Sequence, residues 1–133
     1  MQGRMGGPPD LFDSLTGGKY SHKSWSKHAD IKNPGPSGAM VLIDESEYVI
    51  DDPYFIVDAF SNSVWQNYPS SRHGGAGDMS FADGHSEVHK WVGAATRAFK
   101  NTSGNVTINP NIATDKSDLN WVQRTLVFED IPD

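Results

Sequence analysis

The chain has no cysteine in its 133 residues, so disulfide staples and thiolate metal ligands are excluded and stability must come from packing and loop contacts. It has no apolar run of the ~20 residues that a membrane-spanning helix needs. Basic residues are scarce as well. Lys and Arg total 11 against 17 Asp and Glu, a net charge of −6, with no basic cluster to offset it, which argues against nucleic acid or another polyanion as partner. No internal repeat or low-complexity tract is present. The machinery of covalent catalysis is missing too: no serine stands in a Gly-x-Ser-x-Gly elbow, and no glycine loop carries a P-loop lysine. Asp51 and Asp52 are neighbours whose side chains diverge in extended backbone. These absences point away from an enzyme.

Turn formers are abundant, with 13 Gly and 8 Pro, and the length suits a single domain. The composition predicts an α+β fold: a small antiparallel sheet with long loops and short helices. Residues 1 to 29, with Gly6-Gly-Pro-Pro9 and Gly17-Gly18, lack periodicity and read as an irregular N-terminal segment; residues 30 to 133 read as a β-rich domain. After the turn at Pro34 to Gly38, Ala39 to Ile43 is almost continuously apolar and predicts a central strand. Tyr54 to Val57 predicts a further strand, and Asp58 to Ser71 a loop carrying Trp65 and Tyr68. Val92 to Phe99 predicts a helical turn or two, Val106 to Ile108 a short strand, and Ser117 the cap of a last helix running to about Arg124.

The most specific stretch runs from Arg72 to Trp91, where a glycine-rich loop, an Asp-Gly pair and three histidines are joined. Met79 to Ala82 and His85 to Trp91 alternate with period two around Asp83-Gly84, which predicts a hairpin closed by a two-residue type I′ turn. Pairing Ala82 with His85 places Met79, Phe81 and Val88 toward a core. Asp78, Ser80, His85, Glu87 and His89 then share the opposite, polar face, with residues two apart along a strand roughly 7 Å from each other.

His73, nine intervening residues and Asp83-Gly84 together resemble the motif of the prepilin-type processing-associated domain, whose members are similar to pseudopilins of type II secretion systems. Three further segments resemble that family in order: Asn33-Pro34 before the strand Met40-Val-Leu-Ile-Asp-Glu45, Ile50-Asp-Asp52 with Tyr54-Phe55, and Asp118-Leu-Asn-Trp-Val-Gln123. The resemblance spans Asp30 to Arg124. It implies a pseudopilin-like globular head without its N-terminal helix, acting as a structural subunit of a type II secretion or type IV pilus-related filament. The implied partners are other pseudopilin subunits and secretion-system components, with an exported substrate in addition. The implied location is periplasmic or extracellular, with membrane contact only through the missing helix. The missing leader and apolar helix make the chain read as a fragment.

Within the motif, Asp83 suits acceptance of backbone amides and His73 suits donation across the Gly74 to Gly77 loop, a structural clamp in which Gly74, Gly75 and Gly77 permit close backbone approach or positive φ. The three loop glycines also offer the less favoured reading of an anion cradle. Hard oxygen ligands suit calcium, so Asp44, Glu45, Asp51, Asp52 and Asp58 form one candidate Ca2+ group and Asp115 with Asp118 another; the resemblance to major pseudopilins implies calcium too. Against this stands a solvated acidic surface. His85, Glu87 and His89 form the zinc alternative, although their order lacks the His-Glu-x-x-His arrangement. The alternative function is an extracellular glycan- or substrate-binding module that uses Trp65 and Tyr68, aromatics that serve equally well as core anchors.

Overall fold

The computed structural model describes residues 27–51, 53–58, 61–100 and 105–126. Its elements are a 3-10 turn at His28–Asp30, strands β1 (Met40–Ile43), β2 (Val64–Trp65), β3 (Ala76–Phe81) and β4 (Ser86–Lys90), helix α1 (Ala94–Ala98), strand β5 (Val106–Thr107) and helix α2 (Ala113–Thr125). The fold is α+β, as the composition predicts.

An antiparallel sheet runs in the order β1-β3-β4, and β2 pairs with β5 in a second, two-stranded sheet. The apolar strand β1 is therefore an edge, not the centre. Its register explains the misleading pattern: Met40 faces Phe81, but Leu42 faces Ser80 and Ile43 faces Met79, so a bulge lies between Met40 and Leu42. One extra residue brings Met40 and Ile43, three apart, onto the same buried side and turns Leu42 outward. Beyond β1, the 68–70 segment covers the chain: Ser46 N–H bonds to the Tyr68 carbonyl and Ser70 N–H to that of Asp44, with a bridge between Glu45 and Pro69.

The hairpin forms at the expected place with a different turn. Gly84 N–H bonds to the Phe81 carbonyl and Phe81 N–H to that of His85. Gly84 alone has positive φ there, +93°, and Asp83 does not. This is a three-residue loop, a turn over Ala82-Asp83 closed by a left-handed glycine, in place of a type I′ pair. The register slips by one: Ser80 faces Ser86, Met79 faces Glu87, Asp78 faces Val88 and Gly77 faces His89. Because strand side chains alternate, that slip moves all of β4 to the other face. Val88 is 66% exposed on the outer side, while His85, Glu87 and His89 share the inner side with Met79 and Phe81.

Other expectations also shift. Tyr54 to Val57 forms no strand of either sheet; it is fastened by side chains, with Asn67 Oδ1 accepting from Ile56 N–H at 2.9 Å and Gln66 Oε1 from Asp58 N–H at 2.8 Å. The expected loop from Asp58 to Ser71 contains β2. Helix α2 begins at Ala113, four residues before Ser117, after an Asn109 turn whose Oδ1 accepts from Asn111 N–H. One core unites both sheets and α2: Met40, Ile43, Met79 and Phe81 from β1 and β3, Trp65 and Val106 from β2 and β5, Leu119 and Val122 from α2, with Phe55, Tyr68, Trp91 and Ile108. Each buried aromatic removes roughly 150–250 Å² from water, a gross ~4–6 kcal/mol at about 25 cal/mol per Å².

Candidate functional site

The motif residues occupy both ends of the hairpin. At its open end Arg72 reaches Asp44 and Glu47, and His73 Nε2 lies 3.3 Å from Asp78 and 3.7 Å from Asp44. Arg72, His73 and Asp78 are each about half exposed, so such pairs contribute ~0–1 kcal/mol apiece. At the turn Asp83 Oδ1 accepts from His85 N–H at 3.1 Å and sits 2.6 Å from His85 Nδ1. That side-chain hydrogen bond first, and the backbone one second, hold the Asp83 carboxyl below its ordinary 3.8. His85 stacks flat on Phe81, with ring centres 4.5 Å apart. His73 reaches carboxylates across the glycine loop and fastens the start of β3 to the end of β1, while Asp83 accepts a backbone amide within its own turn.

Between these ends lies a tryptophan anchor. Trp91 is 1% exposed, and its Nε1–H donates to the Ser70 carbonyl at 2.8 Å. The indole lies across Gly77, where a Cβ would stand 3.2 Å from the ring and 2.8 Å from the Ser70 oxygen. Gly77 is needed for that approach, whereas Gly74 and Gly75 turn the loop with φ of +66° and +87°. The Gly75 N–H is bonded to the Ser71 carbonyl and its carbonyl accepts from Trp91 N–H, so this part of the suggested anion cradle is spent on the fold itself.

His89 is held between two indoles, 3.7 Å from Trp121 and 4.7 Å from Trp91 by ring centres. Burial pushes its pKa below 6.5, against a smaller upward pull from Asp118 and Glu87. The two carboxylates on α2 are buried, contrary to the expected acidic surface. Asp118 accepts from Gly93 N–H at 2.8 Å and Val92 N–H at 3.1 Å, and Asp115 Oδ1 accepts from Ala95 N–H at 3.1 Å. They satisfy the free amides at the start of α1 from another helix, a role usually filled by a local capping side chain. The signal was present in the sequence: Asp115, Asp118, Leu119 and Val122 fall on one helical stripe, so the two acids share the buried face.

The proposed ligand sets do not converge. Asp44 is taken by Arg72, Glu45 accepts from Asn67 Nδ2 at 2.8 Å, Asp51 is exposed, and Asp52 lies outside the described residues. Asp58 sits where its backbone meets Gln66 and Gln123. His85 turns to Asp83, His89 to the tryptophans, and Glu87 is exposed. Among the described residues no three His, Asp or Glu side chains are arranged to hold a metal ion. Trp65 and Tyr68 are each 0% exposed, so they are core and offer no face to a glycan. The contacts here fasten loop to strand and strand to helix. Compared with protein-family models, curated proteins and solved structures, the chain shows no match.

Proposed function

We propose that this chain is the non-catalytic globular head of a pseudopilin-like subunit, a structural part of a type II secretion or type IV pilus-related filament in the cell envelope. The observation that carries the reading is that the segments resembling that family meet one another in the fold. Asp44, at the end of the first segment, takes Arg72 and His73 at the start of the motif. Asp118 and Trp121 of the closing segment grip the amides after β4 and the imidazole of His89. A structural head needs such internal fastening and no reaction centre.

The partners in this proposal are other subunits of the filament and the secretion apparatus, and its location is periplasmic or extracellular. Among the described residues no helix is long and apolar enough to cross a membrane. The sequence encoded upstream of Met1 tests the proposal. An apolar helix that follows a glycine and carries an early glutamate supports it, and an unrelated upstream domain refutes it. Calcium enters only through the resemblance, since the described carboxylates form no cage. Thermal melts with calcium, with zinc and with chelator decide this point: stabilisation by calcium alone supports the family reading, and stabilisation by zinc alone that is lost in His85→Ala reverses the ranking.

A further inference from the structure

The two edges of the three-stranded sheet differ. The β1 edge is broken by its bulge, and its continuation is covered by residues 68–70. The β4 edge is regular, with Ser86, Val88 and Lys90 all exposed. Ladder geometry fixes which backbone groups it offers. Phe81 bonds to His85 and Trp91 to Gly75 across the hairpin, so with antiparallel alternation Glu87 and His89 direct their N–H and C=O toward β3. Ser86, Val88 and Lys90 direct theirs outward. Among the described residues no strand pairs with this edge, and unpaired edges of this kind recruit another strand unless something blunts them.

We propose that β4 pairs with β4 of a second copy, antiparallel about a two-fold axis through Val88, to give a continuous six-stranded sheet. This inference stands apart from the filament reading. In that register the outward-facing residues meet one another: Val88 faces the partner's Val88, and Ser86 faces the partner's Lys90. Two backbone bonds form per facing pair, about six in all. Glu87 comes opposite the partner's His89 on the inner side, so acid meets imidazole and no like charges stand opposite. Val88, 66% exposed in the single chain, is covered by its own symmetry mate. Shifting the register by two residues in one direction sets Glu87 against the partner's Glu87, like charge on like, and in the other sets Val88 against the partner's Lys90, so neither neighbouring register covers Val88 with its symmetry mate.

Helix α2 leaves room for this arrangement. It lies beneath the His89 end of β4, where Trp121 stacks, and Glu87 on the same face remains exposed. Antiparallel pairing sets each copy's helix-covered end beside the other's open hairpin tip. The contact is short, so the association is weak.

Sedimentation over a concentration series tests the proposal. The wild-type chain should pass from monomer to dimer below about 1 mM, the weak end of specific association. Val88→Lys, which puts two ammonium groups at the axis without touching the hairpin's own bonds, should weaken dimerisation at least about tenfold at low salt. Because the chain has no native cysteine, Val88→Cys supplies a single thiol, and mild oxidation should convert it to a disulfide-linked dimer far faster than Ile112→Cys, an exposed site on the helical side. Circular dichroism of each variant verifies the fold before comparison. A wild type that stays monomeric throughout overturns the proposal, as does Val88→Lys dimerising like wild type, or equal cross-linking rates for the two cysteine variants.

Discussion

Replacing Asp118 with Asn changes one atom's chemistry in a side chain that is 1% exposed and receives two backbone amides. The carboxylate accepts at both oxygens, from Val92 N–H at 3.1 Å through Oδ1 and from Gly93 N–H at 2.8 Å through Oδ2. An amide keeps one acceptor and turns an NH2 toward the other N–H, so one bond is lost and two donors confront each other. Rotation of the side chain only exchanges which amide is orphaned. Space is tight, because a Cβ on Gly93 would already stand 2.9 Å from Asp118 Oδ2, so the segment cannot shift away freely. A hydrogen bond to a charged group contributes ~1.5–3 kcal/mol, and a buried donor left unmade costs ~1–3 kcal/mol, which together set an expected loss of about 2–4 kcal/mol. For a domain of this size the melting temperature should fall by roughly 6–15 °C. Thermal unfolding followed by circular dichroism measures it, with the exposed Glu87→Gln as a control that should leave the curve in place. A fall of less than about 2 °C would refute the reasoning, because it would mean that water or another group satisfies the amides and that the carboxylate grip is not structural.

Gly84→Val isolates backbone strain, because φ is +93° and a Cβ there meets nothing within 4 Å; a loss of ~1–3 kcal/mol in a denaturant melt is expected, and no loss would mean that the turn can reshape. His73→Ala should speed amide exchange around residues 72–78, leave the Asp83 turn protected and move the melting temperature little, since the histidine's contacts are half exposed. Uniform wild-type protection would count against its fastening role. Burial lowers the His89 pKa in the folded state, so protonation favours the unfolded chain: stability holds above pH 6.5, falls as the pH drops below it, and levels off beneath the lowered folded value. Melts from pH 8 to 5 should show that slope in wild type and a shallower one in His89→Phe.

Local rules located the hairpin, because an Asp-Gly pair between two alternating runs constrains the backbone whatever surrounds it. They misjudged its register. A two-residue and a three-residue turn differ by one position, and the choice rests on whether Asp83 or only Gly84 takes positive φ. That single residue decided the fate of the histidines: the face read as polar became the inner face, and Val88 became surface. Strand β1 misled for a similar reason, since its bulge lets an edge strand bury residues three apart. The short strand at Val106 was legible, but its partner β2 lay inside an expected loop, because their pairing joins residues more than forty apart. The acids on α2 were legible in spacing yet hidden by expectation, because charge suggests solvent until the partner amides are known. Trp65 and Tyr68 lie in the core, as large aromatics commonly do.

The C-terminal helix reaches back across nearly the whole described chain. Thr125 touches the Met40 sulfur 85 residues away, and Gln123 binds carbonyls of Asp58 and Ser61 more than sixty residues earlier. During synthesis, the segments that will become the sheet therefore wait without a lid until Leu119 and Val122 leave the ribosome. Closure of the core is in this sense deferred until α2 is complete, and a chain that lacks α2 keeps the apolar side of its sheet without a cover.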